Sequence, residues 1–115
     1  MTEFTREHLT INPAFEVYDT EPNTIVASIE TSCELIEKLG LDCRVYEPDC
    51  LKLYAYYNVE SDELTMMYTY QDDGMIDGDD YYPTSNETNL IVKMIEECCE
   101  ENHNCSLSEF YNRLF

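Results

Sequence analysis

The sequence predicts an α+β domain: a small antiparallel β-meander of three to four strands with helices packed on one face. Three observations carry this reading. Residues 51–59 and 63–70 alternate apolar and polar side chains with the period of a strand, and a short polar stretch separates them. Residues 23–39 and 86–101 repeat apolar side chains at intervals of three and four, the period of a helix. The length of 115 residues suits one domain, spanning 1–115.

The elements follow in order. Residues 7–11 and 15–18 each read as a short strand, interrupted at Asn12-Pro13. Over 23–39, Ile25, Ile29, Cys33 and Ile36 form a helical stripe widened by Val26, Leu35 and Leu39. Asn23 or Thr24 suits its N-cap, and Gly40 suits a left-handed C-terminal residue. A short strand is expected at 43–46. In 51–59, Leu51, Leu53, Ala55, Tyr57 and Val59 face one way, and Lys52, Tyr54, Tyr56 and Asn58 the other. Leu64, Met66, Tyr68 and Tyr70 share a face of the next strand. A loop of Glu60, Ser61, Asp62 and Glu63 would pair Val59 with Leu64, Tyr57 with Met66 and Ala55 with Tyr68.

Residues 71–84 are expected to form a long connecting loop with Gly74, Gly78 and five aspartates: Asp72, Asp73, Asp77, Asp79 and Asp80. Ser85 then caps a helix over 86–101, with Leu90, Ile91, Met94, Ile95 and Cys98 inward. Glu96, Glu97, Glu100 and Glu101 occupy its outer arc near the C-terminus, where the macrodipole disfavours negative charge. Ser106 and Glu109 have capping-box spacing for a last helix over 107–114.

Composition excludes several functions. The chain has 25 acidic residues against 6 basic ones, a net charge of -19. Such a surface cannot neutralise phosphates, so direct nucleic-acid binding and binding to anionic membranes are excluded. No apolar run approaches the ~20 residues of a membrane span, and residues 1–10 lack the basic-then-apolar order of a signal peptide. A cytoplasmic location is therefore expected, with the six cysteines reduced and Cys33 and Cys98 acting as small buried hydrophobes.

Metal and catalytic chemistry find no support. Cys98, Cys99, His103 and Cys105 include zinc-ligand types, but adjacent cysteines on a helix point about 100° apart. Core cysteines beside a surface histidine are the expected arrangement. A calcium loop counted from Asp73 has Asp77 and Gly78 in place, yet Met75 and Thr84 at two ligand positions. His8 and His103 are far apart in sequence, and no nucleophile, phosphate-loop or dinucleotide motif is present. The expectation is a non-enzyme with no cofactor.

The charge itself is the remaining signal. Residues 71–115 hold eleven acids against two bases, on a helix face and a long loop instead of in a tail. One turn of duplex DNA, about 34 Å, carries about twenty charges, close to the net charge of this 13.5 kDa chain. In size, charge and mixed architecture the chain resembles the small phage-encoded DNA mimics, anti-CRISPR proteins among them. The resemblance implies an inhibitor that fills the basic groove of a nucleic-acid-binding protein such as a defence nuclease. Asp72, Asp73, Asp77, Asp79 and Asp80 are the expected steering charges, with Tyr81 and Tyr82 as anchors. Glu96, Glu97, Glu100 and Glu101 form the alternative footprint. An immunity protein or antitoxin against a basic toxin is a second reading, and an acidic regulatory or structural domain a third.

Overall fold

The computed structural model describes residues 6–18, 20–41, 44, 51–72 and 75–113. They form an α+β domain built on a six-stranded antiparallel sheet, with three α-helices. After a single 3-10 turn at Arg6–His8, the strands are β1 Leu9–Ile11, β2 Glu16–Val17 and β3 Thr24–Thr31. Helix α1, Cys33–Lys38, precedes β4 Leu51–Asn58, β5 Glu63–Asp72 and β6 Met75–Tyr81, and helices α2 Ser85–His103 and α3 Leu107–Arg113 follow. The sheet order is β1-β3-β4-β5-β6, with β2 also pairing β3. The two short N-terminal strands together make one interrupted edge, broken at Asn12-Pro13, and β6 makes the other edge.

Two elements correct the sequence reading and raise the strand number above four. Residues 24–31 are a strand where a helix over 23–39 was expected, leaving only the six-residue α1. Ile25, Ala27 and Ile29 are each 1% exposed and point to one face, and the β-branched Thr24, Ile25, Val26, Ile29 and Thr31 favour the extended chain. Residues 75–81, expected within a loop, are β6, paired to β5 from Met66–Tyr81 to Asp72–Met75. Gly78 permits that pairing, because a Cβ there would sit 2.7 Å from the Tyr68 carbonyl oxygen.

The β4–β5 hairpin keeps its expected faces and shifts its register by two residues. Tyr57 pairs with Leu64, Ala55 with Met66 and Leu53 with Tyr68. The side-chain oxygen of Asn58 accepts from the Glu60 and Ser61 amides, both at 2.9 Å, and so closes the turn one residue earlier than expected. Asp62 takes the left-handed conformation that such a turn needs, at φ 60°. Val59 leaves the β4–β5 ladder and donates its amide to the Asn23 carbonyl at 2.8 Å. An even shift leaves every side chain on its original face, so the apolar pairing survives.

The core lies between one sheet face and the helices. Ile25, Ala27 and Ile29 of β3, Leu53, Ala55 and Tyr57 of β4 and Met66 of β5 pack with Leu35, Ile91, Met94, Ile95 and Cys99. Each fully buried Leu or Ile side chain contributes roughly 1.5–3 kcal/mol. On α2 the inward residues include Cys99, at 0% exposure, whereas Cys98, the expected one, is half-buried. The N-cap of α2 is Thr84, not Ser85, in a reciprocal capping box with Glu87. Ser106 caps α3 as expected, its hydroxyl accepting from the Glu109 amide at 3.2 Å.

Two further expectations are corrected. Cys33 is exposed at the start of α1 and disulfide-bonded, because the helical stripe that would have buried it as a reduced thiol does not form. His103 is no free surface residue: its ring lies 4.6 Å from that of Phe110 and 5.7 Å from that of Phe15. Its Nε2 donates to the Pro13 carbonyl at 2.6 Å. The expected strand at 43–46 lies outside the described residues, apart from Arg44, which sits in a turn. Among the described residues no helix is long and apolar enough to cross a membrane.

Candidate partner-binding surface

The acidic residues of 75–81 are displayed by a strand, which gives them fixed spacing and direction. Asp77 and Asp79 pair with Tyr70 and Tyr68 of β5 and so share the face that farther along is the core, while Asp80 opposite Met67 lies on the other face. All three are exposed. The Asp77 carboxylate accepts from the Gly78 amide and the Asp79 carboxylate from the Asp80 amide, each at 2.8 Å. Alternate amides of this edge are thus satisfied by side chains, which blunts the edge against further strand pairing. Asp72 ends β5, and Asp73 lies outside the described residues.

The two tyrosines expected to act together are separated. Tyr82 is 82% exposed. Tyr81 is 7% exposed, and its hydroxyl donates to the buried Glu87 carboxylate at 3.0 Å. Met75 and Ile76, at 74% and 76% exposure, project from the start of β6.

On α2, Glu96, Glu100 and Glu101 are exposed, and they lie on the arc away from Ile91 and Ile95. Glu97 is committed to Arg6, whose guanidinium donates at 2.7 Å. That hydrogen bond holds the Glu97 carboxyl below its usual range.

No family model matches this chain, and comparison with curated proteins and with solved structures finds no match.

The sheet face opposite the helices carries a second set of groups. Glu16, Val26, Glu30, Tyr54, Tyr56 and Met67 lie on it by register, as does Asp80. Tyr18 packs on Tyr56 with ring centroids 5.0 Å apart, and the Tyr56 hydroxyl donates to the Met67 sulfur at 3.0 Å. Burial pushes the Tyr56 hydroxyl above its ordinary value, and Tyr18 and Tyr54 add to the shift. The alternation of Lys52, Tyr54, Tyr56 and Asn58 was the sequence signal for this face. The pairing of Tyr18 with Tyr56 was not legible, because Tyr18 follows β2 and Tyr56 lies on β4, and only β3 brings those strands together.

Proposed function

We propose that this chain is a nucleic-acid-mimicking inhibitor that occupies the basic DNA- or RNA-binding groove of a partner such as a defence nuclease, acting by binding and not by catalysis. The observation that carries the reading is the ordered display of acids on rigid elements. Asp77 and Asp79 are two residues apart on β6, about 6.8 Å, which equals two charge intervals of ~3.4 Å per strand measured along a duplex axis. Glu96 and Glu100 are one helical turn apart on α2. The domain measures 41 × 29 × 23 Å, so its -19 charge is spread over a length close to one duplex turn of ~34 Å. A groove lined with Lys and Arg would be steered to such a surface by long-range attraction.

The test is binding to a panel of basic nucleic-acid-processing nucleases at about 50 and about 200 mM salt, with duplex DNA and single-stranded RNA as competitors. The proposal expects tight binding that weakens with salt and is displaced by nucleic acid. A tight complex that neither polymer displaces would assign the immunity-protein or antitoxin role instead. Absence of any complex with basic proteins would leave an acidic regulatory domain.

The reading places the protein in the cytoplasm, where such enzymes act, whereas the disulfide at Cys33 is a feature of oxidising compartments. Alkylation of Cys33 before and after reduction, in protein taken directly from a cytoplasm, decides whether the bond persists there.

A further inference from the structure

We infer that the open sheet face holds an arginine-binding slot. This deepens the basic-partner reading and rests on it. A shallow depression of about 200 Å³ on this face is lined by Tyr18, Glu21, Tyr56, Thr65, Met67 and Asp80. The Tyr18 and Tyr56 rings, in contact with each other, and the Met67 thioether are among its lining groups, and the acids come from opposite edges of the sheet. Glu21 follows β2 at one edge, and Asp80 stands on β6 at the other. Lys52, a base on the same face, is four residues along β4 from Tyr56, about 13 Å away, so it does not neutralise the slot.

Flat aromatic rings flanked by carboxylates suit a planar cation. A guanidinium can lie over a tyrosine face and still donate in its own plane to a flanking carboxylate, Glu21 on one side of the slot or Asp80 on the other. A lysine ammonium satisfies the carboxylates but gains less from the rings, since it is a compact and strongly hydrated point charge. The occupant is therefore an arginine side chain in an arginine-rich segment of the basic partner. Like-charge repulsion at a net charge of -19 disfavours a second copy of this chain as the occupant.

The test compares hexa-arginine with hexa-lysine, two peptides of equal charge, by calorimetry and by NMR of the tyrosine rings. Hexa-arginine is expected to bind at least about fivefold tighter and to shift the Tyr18 and Tyr56 ring signals. Tyr56→Leu should abolish that preference, and Tyr56→Phe should keep it. If Tyr56→Leu does not fold, Tyr18→Leu and the wild-type ring shifts decide the matter. Equal affinities, with shifts confined to β6 and α2 acids, would overturn the slot and leave the charge-based reading standing. Failure of both peptides to bind at low salt would overturn the slot and count against the basic-partner reading as well.

Discussion

Tyr81 donates its hydroxyl to the carboxylate of Glu87 at 3.0 Å, joining the last residue of β6 to the first turn of α2. Glu87 has a fully buried side chain and also accepts from the Thr84 amide at 3.0 Å and from the Lys38 ammonium of α1. The same ammonium lies 5.6 Å from the centre of the Tyr81 ring. One carboxylate therefore ties together a strand and two helices.

Removing a partner from this group should be costly. Lys38→Met takes an ammonium away from the buried Glu87 carboxylate and is expected to destabilise the domain by about 3–5 kcal/mol in chemical denaturation. The Lys38→Met/Glu87→Gln double variant should recover most of that loss, because the amide still accepts from Tyr81 and Thr84. If the two single losses simply add, the ion pair is not the source of the effect.

The two adjacent tyrosines should separate in their effects. Tyr81→Ala is expected to lower stability by about 3–5 kcal/mol, as for other buried aromatic truncations. Tyr82→Ala should leave stability within about 0.5 kcal/mol and speed dissociation from a partner. Paired measurements of melting and dissociation rate on both variants check this. A Tyr82→Ala variant with unchanged dissociation would remove that ring from the interface.

Replacing Asp72, Asp73, Asp77, Asp79 and Asp80 together by Asn should slow association and flatten its salt dependence. Asn at 77 and 79 keeps the side-chain oxygen that accepts from the Gly78 and Asp80 amides, so the edge strand should survive. The Gln variants of Glu96, Glu97, Glu100 and Glu101 are the comparison set. If only the helix variants alter the on-rate, the footprint belongs to α2.

Gly78→Ala should detach β6 selectively. The added methyl would meet the Tyr68 carbonyl at 2.7 Å, a backbone atom with little freedom to move. A loss of about 1–3 kcal/mol is expected, with faster amide exchange along 75–81 and unchanged exchange in α2. Uniformly faster exchange would mean that β6 is not a separable unit.

Stability should fall at alkaline pH. Burial, with a smaller contribution from Cys105, pushes the Cys99 thiol up to about 12. The unfolded chain loses this proton near ~8.5 while the folded chain keeps it, so the contribution is complete below that pH and is lost between roughly 8.5 and 12. Tyr57, raised mainly by burial and also by its hydrogen bond to Asp62, adds to the loss above ~10. Cys99→Ala should flatten the lower part of this pH profile in denaturant titrations. An unchanged slope between about 8.5 and 10 would reassign the effect to the tyrosines.

Elements whose burial pattern follows a single period are legible from the order of residues alone. Helix α2 and the faces of β4 and β5 were legible because Ile91, Met94 and Ile95, or Leu51, Leu53 and Ala55, repeat at one interval and are buried together. The rest depends on pairing between distant segments. Ile25 and Ile29 are four apart, a spacing that fits both a helical turn and two strand repeats, and pairing to β1, β2 and β4 resolved it in favour of β3. Strand β6 was hidden because Asp77, Gly78, Asp79 and Asp80 have low strand propensity, and only the ladder to β5 makes them extended. The separation of Tyr81 from Tyr82 has the same origin: strand alternation turns one ring onto Glu87 and the other to solvent. The joining of Tyr18 to Tyr56 across the sheet depends on contacts between residues distant in the chain, which local periodicity does not encode.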